Sequence, residues 1–250
     1  MTGSPEQVAD DIYRVADGVV NFYLVTDGED GLAIVDAGWP RSMGAIATAI
    51  GRLGRTPGDL DAILLTHGHP DHVGAAEGLR RGTRAPVLAH SREVERVRGN
   101  APGSSPFRLV PGLTTQIWRP TTVAFLGEAT VKGFLTPTWV EEVQAFEIGE
   151  QLDAPGSPRV ISTPGHTPGH VSFHFEKAGA VISGDAICTR DPVTGHTGPR
   201  MLHKVVNEDS ELTRASLGEL GSLDADVLLP GHGEPWRGSM GDAAAAARER

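Results

Sequence analysis

The chain has 250 residues, 39% of them apolar, with a formal charge of −10 and an isoelectric point near 5.4. That length and composition fit one globular enzyme-sized domain spanning 1–250. The acidic balance argues against nucleic acid as substrate, because phosphate binding calls for a basic stripe. The amino terminus lacks the apolar core of a signal peptide, and no apolar run approaches a membrane span, so a cytoplasmic protein without membrane partners is expected. The single cysteine, Cys188, forbids an internal disulfide, in keeping with a reducing compartment.

In chain order, the apolar alternation predicts strands over 11–16, 21–26 and 31–36, a helix over 41–53, and a strand over 62–66. A helix over 73–81, a strand over 86–89 and a helix over 91–98 follow. Residues 100–144 show little regular alternation but hold Phe107, Trp118, Phe125, Phe134 and Trp139. This segment reads either as an insertion over the site that supplies an apolar pocket, or as packing on the outer face or a dimer contact. Beyond it, strands are expected at 146–148, 159–163, 171–175, 180–183 and 226–229, with helices near 210–220 and at the alanine-rich end. The βαβ-like alternation, in two halves of similar make-up, indicates an α/β fold. Glycine and proline form a fifth of the chain, as expected for many tight loops.

The most informative stretch is His67-Gly68-His69-Pro70-Asp71-His72, four metal-ligand side chains in six residues directly after an apolar strand. His67 and His69, two apart on extended backbone, point the same way and can share an ion. Pro70 suits a first helical turn, which turns Asp71 and His72 toward a second ion. Imidazole and carboxylate suit zinc, and also iron or manganese, while the absence of cysteine argues against a closed structural zinc site. Three more ligand types arrive at strand ends: His166 after 160–163, Asp185 after 180–184 and His232 after 226–231.

This ordered set, His67-x-His69-x-Asp71-His72 with His166, Asp185 and His232, resembles the metallo-β-lactamase fold superfamily of hydrolases over most of the chain. The resemblance implies a four-layer αββα sandwich with a dinuclear centre between two sheets. It assigns His67, His69 and His166 to one metal ion and Asp71, His72 and His232 to the other, with Asp185 bridging. Asp36 resembles an aspartate that orients the first histidines without binding metal. Two divalent ions, expected to be zinc, would share a hydroxide that attacks an ester, thioester or lactone carbonyl of a small molecule. Asp71 is the candidate catalytic proton shuttle.

Departures from the family's branches narrow the reading. The commonest β-lactamase subclass carries cysteine at the position of Asp185. The loop 163–170 is similar to that of glyoxalase II enzymes, yet their glutathione-binding lysine and tyrosine pattern is missing. Lactonases of this superfamily usually place tyrosine where Cys188 stands. The whole looks most like the small metallo-hydrolases of the superfamily. A redox alternative is a mononuclear iron sulfur dioxygenase, a branch that dispenses with most of the second ligand set. Among other polar residues, His170 is read as supporting its loop, and His90 as structural. His174, His196 and His203 are read as surface or loop residues, Cys188 as a small buried residue or one facing the pocket, and Arg190 and Arg200 as solvated or in contact with an anionic group of the substrate.

Overall fold

The computed structural model describes residues 3–28 and 30–249. Its first sheet has seven strands in sequence order: β1 (Pro5–Ala9), β2 (Ile12–Asp17), β3 (Val20–Thr26), β4 (Leu32–Val35), β5 (Ala62–Leu64), β6 (Val87–His90) and β7 (Gln144–Phe146). The strands from β1 to β4 pair antiparallel, and those from β4 to β7 pair parallel. The parallel part is reached through α1 (Met43–Arg52), then α2 (Pro70–Val73) and α3 (Ala76–Thr83), and finally α4 (Val94–Val97), α5 (Val110–Thr114) and α6 (Pro120–Val131).

The second sheet takes β8 (Arg159–Ser162), β9 (Val171–Phe175), β10 (Ala180–Gly184), β13 (Val227–Pro230) and β14 (Trp236–Arg237), in the order β14-β13-β10-β9-β8. A small ribbon, β11 (Cys188–Arg190) with β12 (Thr197–Arg200), lies between them in sequence, followed by α7 (Ser210–Gly221) and, at the end, α8 (Met240–Arg248).

Strand periodicity builds the layers. Phe22 and Leu24 of β3, Leu32 and Ile34 of β4, and Ile63 of β5 face the helix layer, where they pack with Ile46 and Ile50 of α1 and Leu79 of α3. Their neighbours Tyr23, Val25, Ala33, Val35 and Leu64 point the other way. There they meet Phe173 and Phe175 of β9, Ile182 of β10 and Leu229 of β13. The outer face of the second sheet, Val181 and Leu228, is covered by Leu217 and Leu220 of α7 and Met240, Ala243 and Ala247 of α8. The expected αββα sandwich is thus the observed one.

Two predicted elements differ in detail, and one edge strand is new. The helix over 91–98 shortens to α4, the strand at 146–148 shifts to β7 at 144–146, and β1 was not foreseen. Its sequence, Pro5-Glu6-Gln7-Val8-Ala9, has one apolar side turned inward, and its proline sits at the first residue of an edge strand, where no ladder donor is needed. His174, read as a surface or loop residue, lies buried within β9 with Nε2 3.3 Å from the Asp224 carbonyl.

Candidate metal centre

The site forms where strands end. β5 delivers the hexapeptide, β8 the loop with His166, β10 Asp185 and β13 His232, so side chains from both sheets converge on one point. Pro70 opens α2 as its first helical residue, and His69 stays extended just before it. This change of backbone separates the directions of His69 and of Asp71 and His72. Glycine is required at 231, since a Cβ there would collide with Asp185 Oδ1 and fall 2.8 Å from His72 Cε1.

All seven predicted residues are buried and mutually close. His69 Nδ1 lies 3.1 Å from His67 Nε2 and 2.8 Å from His166 Nε2. Asp185 Oδ2 is 3.3 Å from both His166 Nε2 and His232 Nε2, and Oδ1 is 3.6 Å from His72 Nε2. Asp71 Oδ2 lies 3.7 Å from His232 Nε2 and 3.9 Å from His72 Nε2. Three overlapping groups therefore have the spacing to hold a cation: His67, His69 and His166; His67, His72 and Asp185; and Asp71, His72 and His232.

The outward ring nitrogens fix the tautomers assigned from the hydrogen-bond network. His72 Nδ1 donates to Asp36 Oδ2 at 2.8 Å, His166 Nδ1 to Asn207 Oδ1 at 2.8 Å, and His232 Nδ1 to the Val19 carbonyl at 2.8 Å. The Thr66 hydroxyl, which donates to Asp36, takes His67 Nδ1 at 3.0 Å. Each of these four rings thereby turns an Nε2 lone pair inward, where His72 Nε2 is buried without a hydrogen-bond partner. Lone pairs facing one another in a buried space are what a divalent cation satisfies, so the residues fit a metal.

The electrostatics divide the imidazoles into two groups. Burial, and then the neighbouring imidazoles, hold His67 and His69 well below the usual histidine range, and burial also lowers His166. Burial works against charge at His72 and His232 too, but Asp185 and the other carboxylates outweigh it and raise both. Asp185 stays well below the usual carboxylate range despite burial, because His232, His72 and His166 surround it. The first group is thus predisposed to be neutral, the form that ligates.

Asp36 takes a left-handed backbone at φ 60°, strained for a residue with a Cβ, and this aims its carboxylate at Thr66 and His72. Its direct partner is His72, and it reaches His67 through Thr66. His170 accepts from the Asp185 backbone N–H at 3.0 Å and is pushed down to about 3, mainly by burial. His90 Nδ1 donates to the Gly169 carbonyl at 3.1 Å. Cys188 is buried with Sγ 3.5 Å from Asp185 Oδ1, and burial pushes its thiol well up. Arg190 is exposed, whereas Arg200 is buried and donates to the Thr197 carbonyl at 2.7 Å.

Three supports went unnoticed in the sequence. Glu93 accepts from Gly68 N at 2.9 Å and Gly169 N at 2.8 Å, stapling the hexapeptide to the turn after His166. Asn21 donates from Nδ2 to Pro230 O at 2.9 Å and Gly233 O at 2.7 Å, holding the loop of His232. Asn207 orients His166. None has a sequence signal, since each acts on backbone or a ring far along the chain.

A cavity of about 170 Å³ opens beside His69 and is lined by Ser104, Arg108, Leu109, Val206 and Asn207 among others. The rest of the 100–144 segment packs Leu113, Phe125 and Phe134 with Trp39, Cys188 and Val193, while Phe107 and Trp118 are exposed.

An αββα sandwich with clustered histidines and aspartates at the strand ends defines a class of metal-dependent hydrolases. Residues 15–232 match the metallo-beta-lactamase superfamily, and the chain belongs to it. It is similar to the probable metallo-hydrolase YflN of Bacillus subtilis, 28% identical over 95% of this chain and 89% of that protein. It also resembles a hydroxyacylglutathione hydrolase of Chelativorans sp., 30% identical over 66% of this chain but only 46% of that protein. Among solved structures, a metallo-beta-lactamase family protein of Thermus thermophilus aligns with TM-score 0.65 and 26% identity, covering 96% of this chain and 79% of that one. The metallo-beta-lactamase SMB-1 shares the fold, with TM-score 0.69 and 21% identity over 99% of this chain and 94% of its own.

Proposed function

We propose that the protein is a dinuclear, zinc-dependent hydrolase of a small ester, thioester or lactone. The observation that carries this reading is the placement of Asp185, with one carboxylate oxygen 3.3 Å from imidazoles of both ligand groups. His67, His69 and His166 would hold one ion, Asp71, His72 and His232 the other, and Asp185 would touch both. Bound there, two divalent ions supply Lewis acidity toward a carbonyl oxygen and hydroxide at neutral pH.

The chain's own residues supply the rest. Asp36, Asn207 and the Val19 carbonyl keep the ligating rings in one tautomer. Asp71, buried with Oδ2 3.7 Å from His232 Nε2, would take a proton and pass it to the leaving group. The name of the Chelativorans relative favours a thioester among the three bond classes.

The test is metal content by plasma mass spectrometry, with turnover of a panel of esters, thioesters and lactones. Two zinc per chain and hydrolysis of one bond class are expected. Asp185→Asn should lose at least one ion and slow turnover by about a hundredfold or more. Unchanged stoichiometry and rate would overturn the dinuclear reading, and one iron with oxygen uptake on a thiol would move the chain to the redox branch.

A further inference from the structure

Arg108 comes from the least regular part of the sequence, yet it is the arginine that lines the cavity beside His69. Its side chain is about half exposed, and its Nη1 donates to Glu208 Oε1 at 2.8 Å. The same oxygen accepts from Arg96 Nη2, also at 2.8 Å. Arg96 is buried, its Nε lies 3.5 Å from Glu93 Oε2, and its Nη1 has no partner, lying against Gly103 at the cavity wall where a side chain would not fit. Glu93 in turn grips Gly68 and Gly169. An alternating chain of charges, Glu93, Arg96, Glu208 and Arg108, therefore runs from the ligand loops to the cavity.

We infer that this cavity receives the acyl end of the substrate and that Arg108 selects acyl groups ending in a carboxylate, an inference that rests on the hydrolase reading above. Arg108 spends one of its five N–H donors on Glu208, which leaves an edge of the guanidinium for a bidentate carboxylate. Glu208, fixed by Arg96, holds that edge in place, so little freedom is lost on binding. The four charges of the chain cancel, so an incoming carboxylate meets an oriented donor pair rather than a net negative wall.

Size agrees with a short chain. At about 30 Å³ per water molecule, 170 Å³ holds about six heavy atoms, enough for the two methylenes and the terminal carboxylate of a four-carbon acyl group whose reacting carbonyl stays outside the cavity, toward the ligand loops. Leu109 and Val206 give the methylenes an apolar wall. The bond attacked would be the acyl carbon–oxygen or carbon–sulfur bond; water adds across it and releases a dicarboxylate and the alcohol or thiol.

The test compares succinyl and butanoyl thioesters of one aryl thiol, equal in carbon count and different in the terminal carboxylate. For the zinc-loaded wild type, kcat/KM should favour the succinyl ester by about ten- to a hundredfold. In Arg108→Met that ratio should fall to within about twofold, through KM of the succinyl ester, and Arg108→Lys should restore part of it. Free succinate should also raise the unfolding temperature of the wild type and not of Arg108→Met. A wild-type ratio near one, or a ratio untouched in Arg108→Met, overturns the inference. If neither thioester turns over yet the succinate shift depends on Arg108, the carboxylate subsite stands and thioester hydrolysis falls.

Discussion

Glu93 shows how much a single carboxylate outside the ligand set can govern. Its two oxygens each take one backbone N–H, from Gly68 and Gly169, and those two loops between them carry His67, His69 and His166. Alanine there would free two buried N–H groups and let the loops drift by more than the few tenths of an ångström that ligation tolerates. Glutamine keeps one acceptor oxygen and would release one loop. We expect Glu93→Ala to weaken metal binding at His67, His69 and His166 by about ten- to a hundredfold, with Glu93→Gln between it and the wild type. Competition against a chelating dye reads this directly, and equal affinity in all three proteins would make Glu93 a packing residue only.

At the scale of elements, the hexapeptide and the three later ligands were legible because each follows a short apolar run, such as 62–65, 180–182 or 227–229, that breaks at a polar or glycine-containing turn. The sheet strands β3, β4, β9, β10 and β13 were legible from apolar patterning as well. What stayed hidden are features set by contacts distant in sequence: edge strand β1, the clasp of Asn21 on the loop after β13, and the divided fate of 100–144. Helix α3 is another such case. Its Glu77 is buried and accepts from Arg80, Arg81 and the Glu141 backbone N–H, tying the helix to the chain entering β7. The hydrogen bond from Arg80 leads in pulling the Glu77 carboxyl down to about 2. A depressed carboxylate stabilises the fold above its unfolded value and loses that contribution as pH falls toward the folded one. Glu77→Gln should therefore cost up to about 3 kcal/mol near neutral pH, less in high salt because Arg81 is exposed. The gap to the wild type should narrow between pH 4.5 and about 2. Urea unfolding at pH 6 and pH 3.5 checks the sign; a constant gap would show that packing, not charge, holds the contact.

Across the whole molecule, the site is also a joint. His67, His69, Asp71 and His72 belong to the first sheet, His166, Asp185 and His232 to the second, and the two sheets otherwise meet through a mainly apolar interface, with a hydrogen bond from Arg237 of β14 to the Val8 carbonyl of β1 at its far edge. Near the site, directional bonds cross as well: Asn21 and Tyr23 of β3 reach the Pro230 carbonyl at the end of β13. Without a cation, this end of the sandwich gathers facing imidazoles and two aspartates in a buried space, held only by their outward hydrogen bonds. A cation that binds the folded chain alone adds RT ln(1 + [L]/Kd) to stability, about 4 kcal/mol at a thousandfold excess over Kd. For a chain of this size that corresponds to a fall of roughly 10 °C in unfolding temperature on chelation. The loss should be cooperative rather than a separate early transition, because the ligands tie both sheets and neither can leave the site alone. Scanning calorimetry of the loaded and chelated protein distinguishes these outcomes. A chelated protein that melts at the same temperature would mean that the apolar interface and the Asn21 clasp already hold the sheets in register, and that the cations serve chemistry without serving the fold.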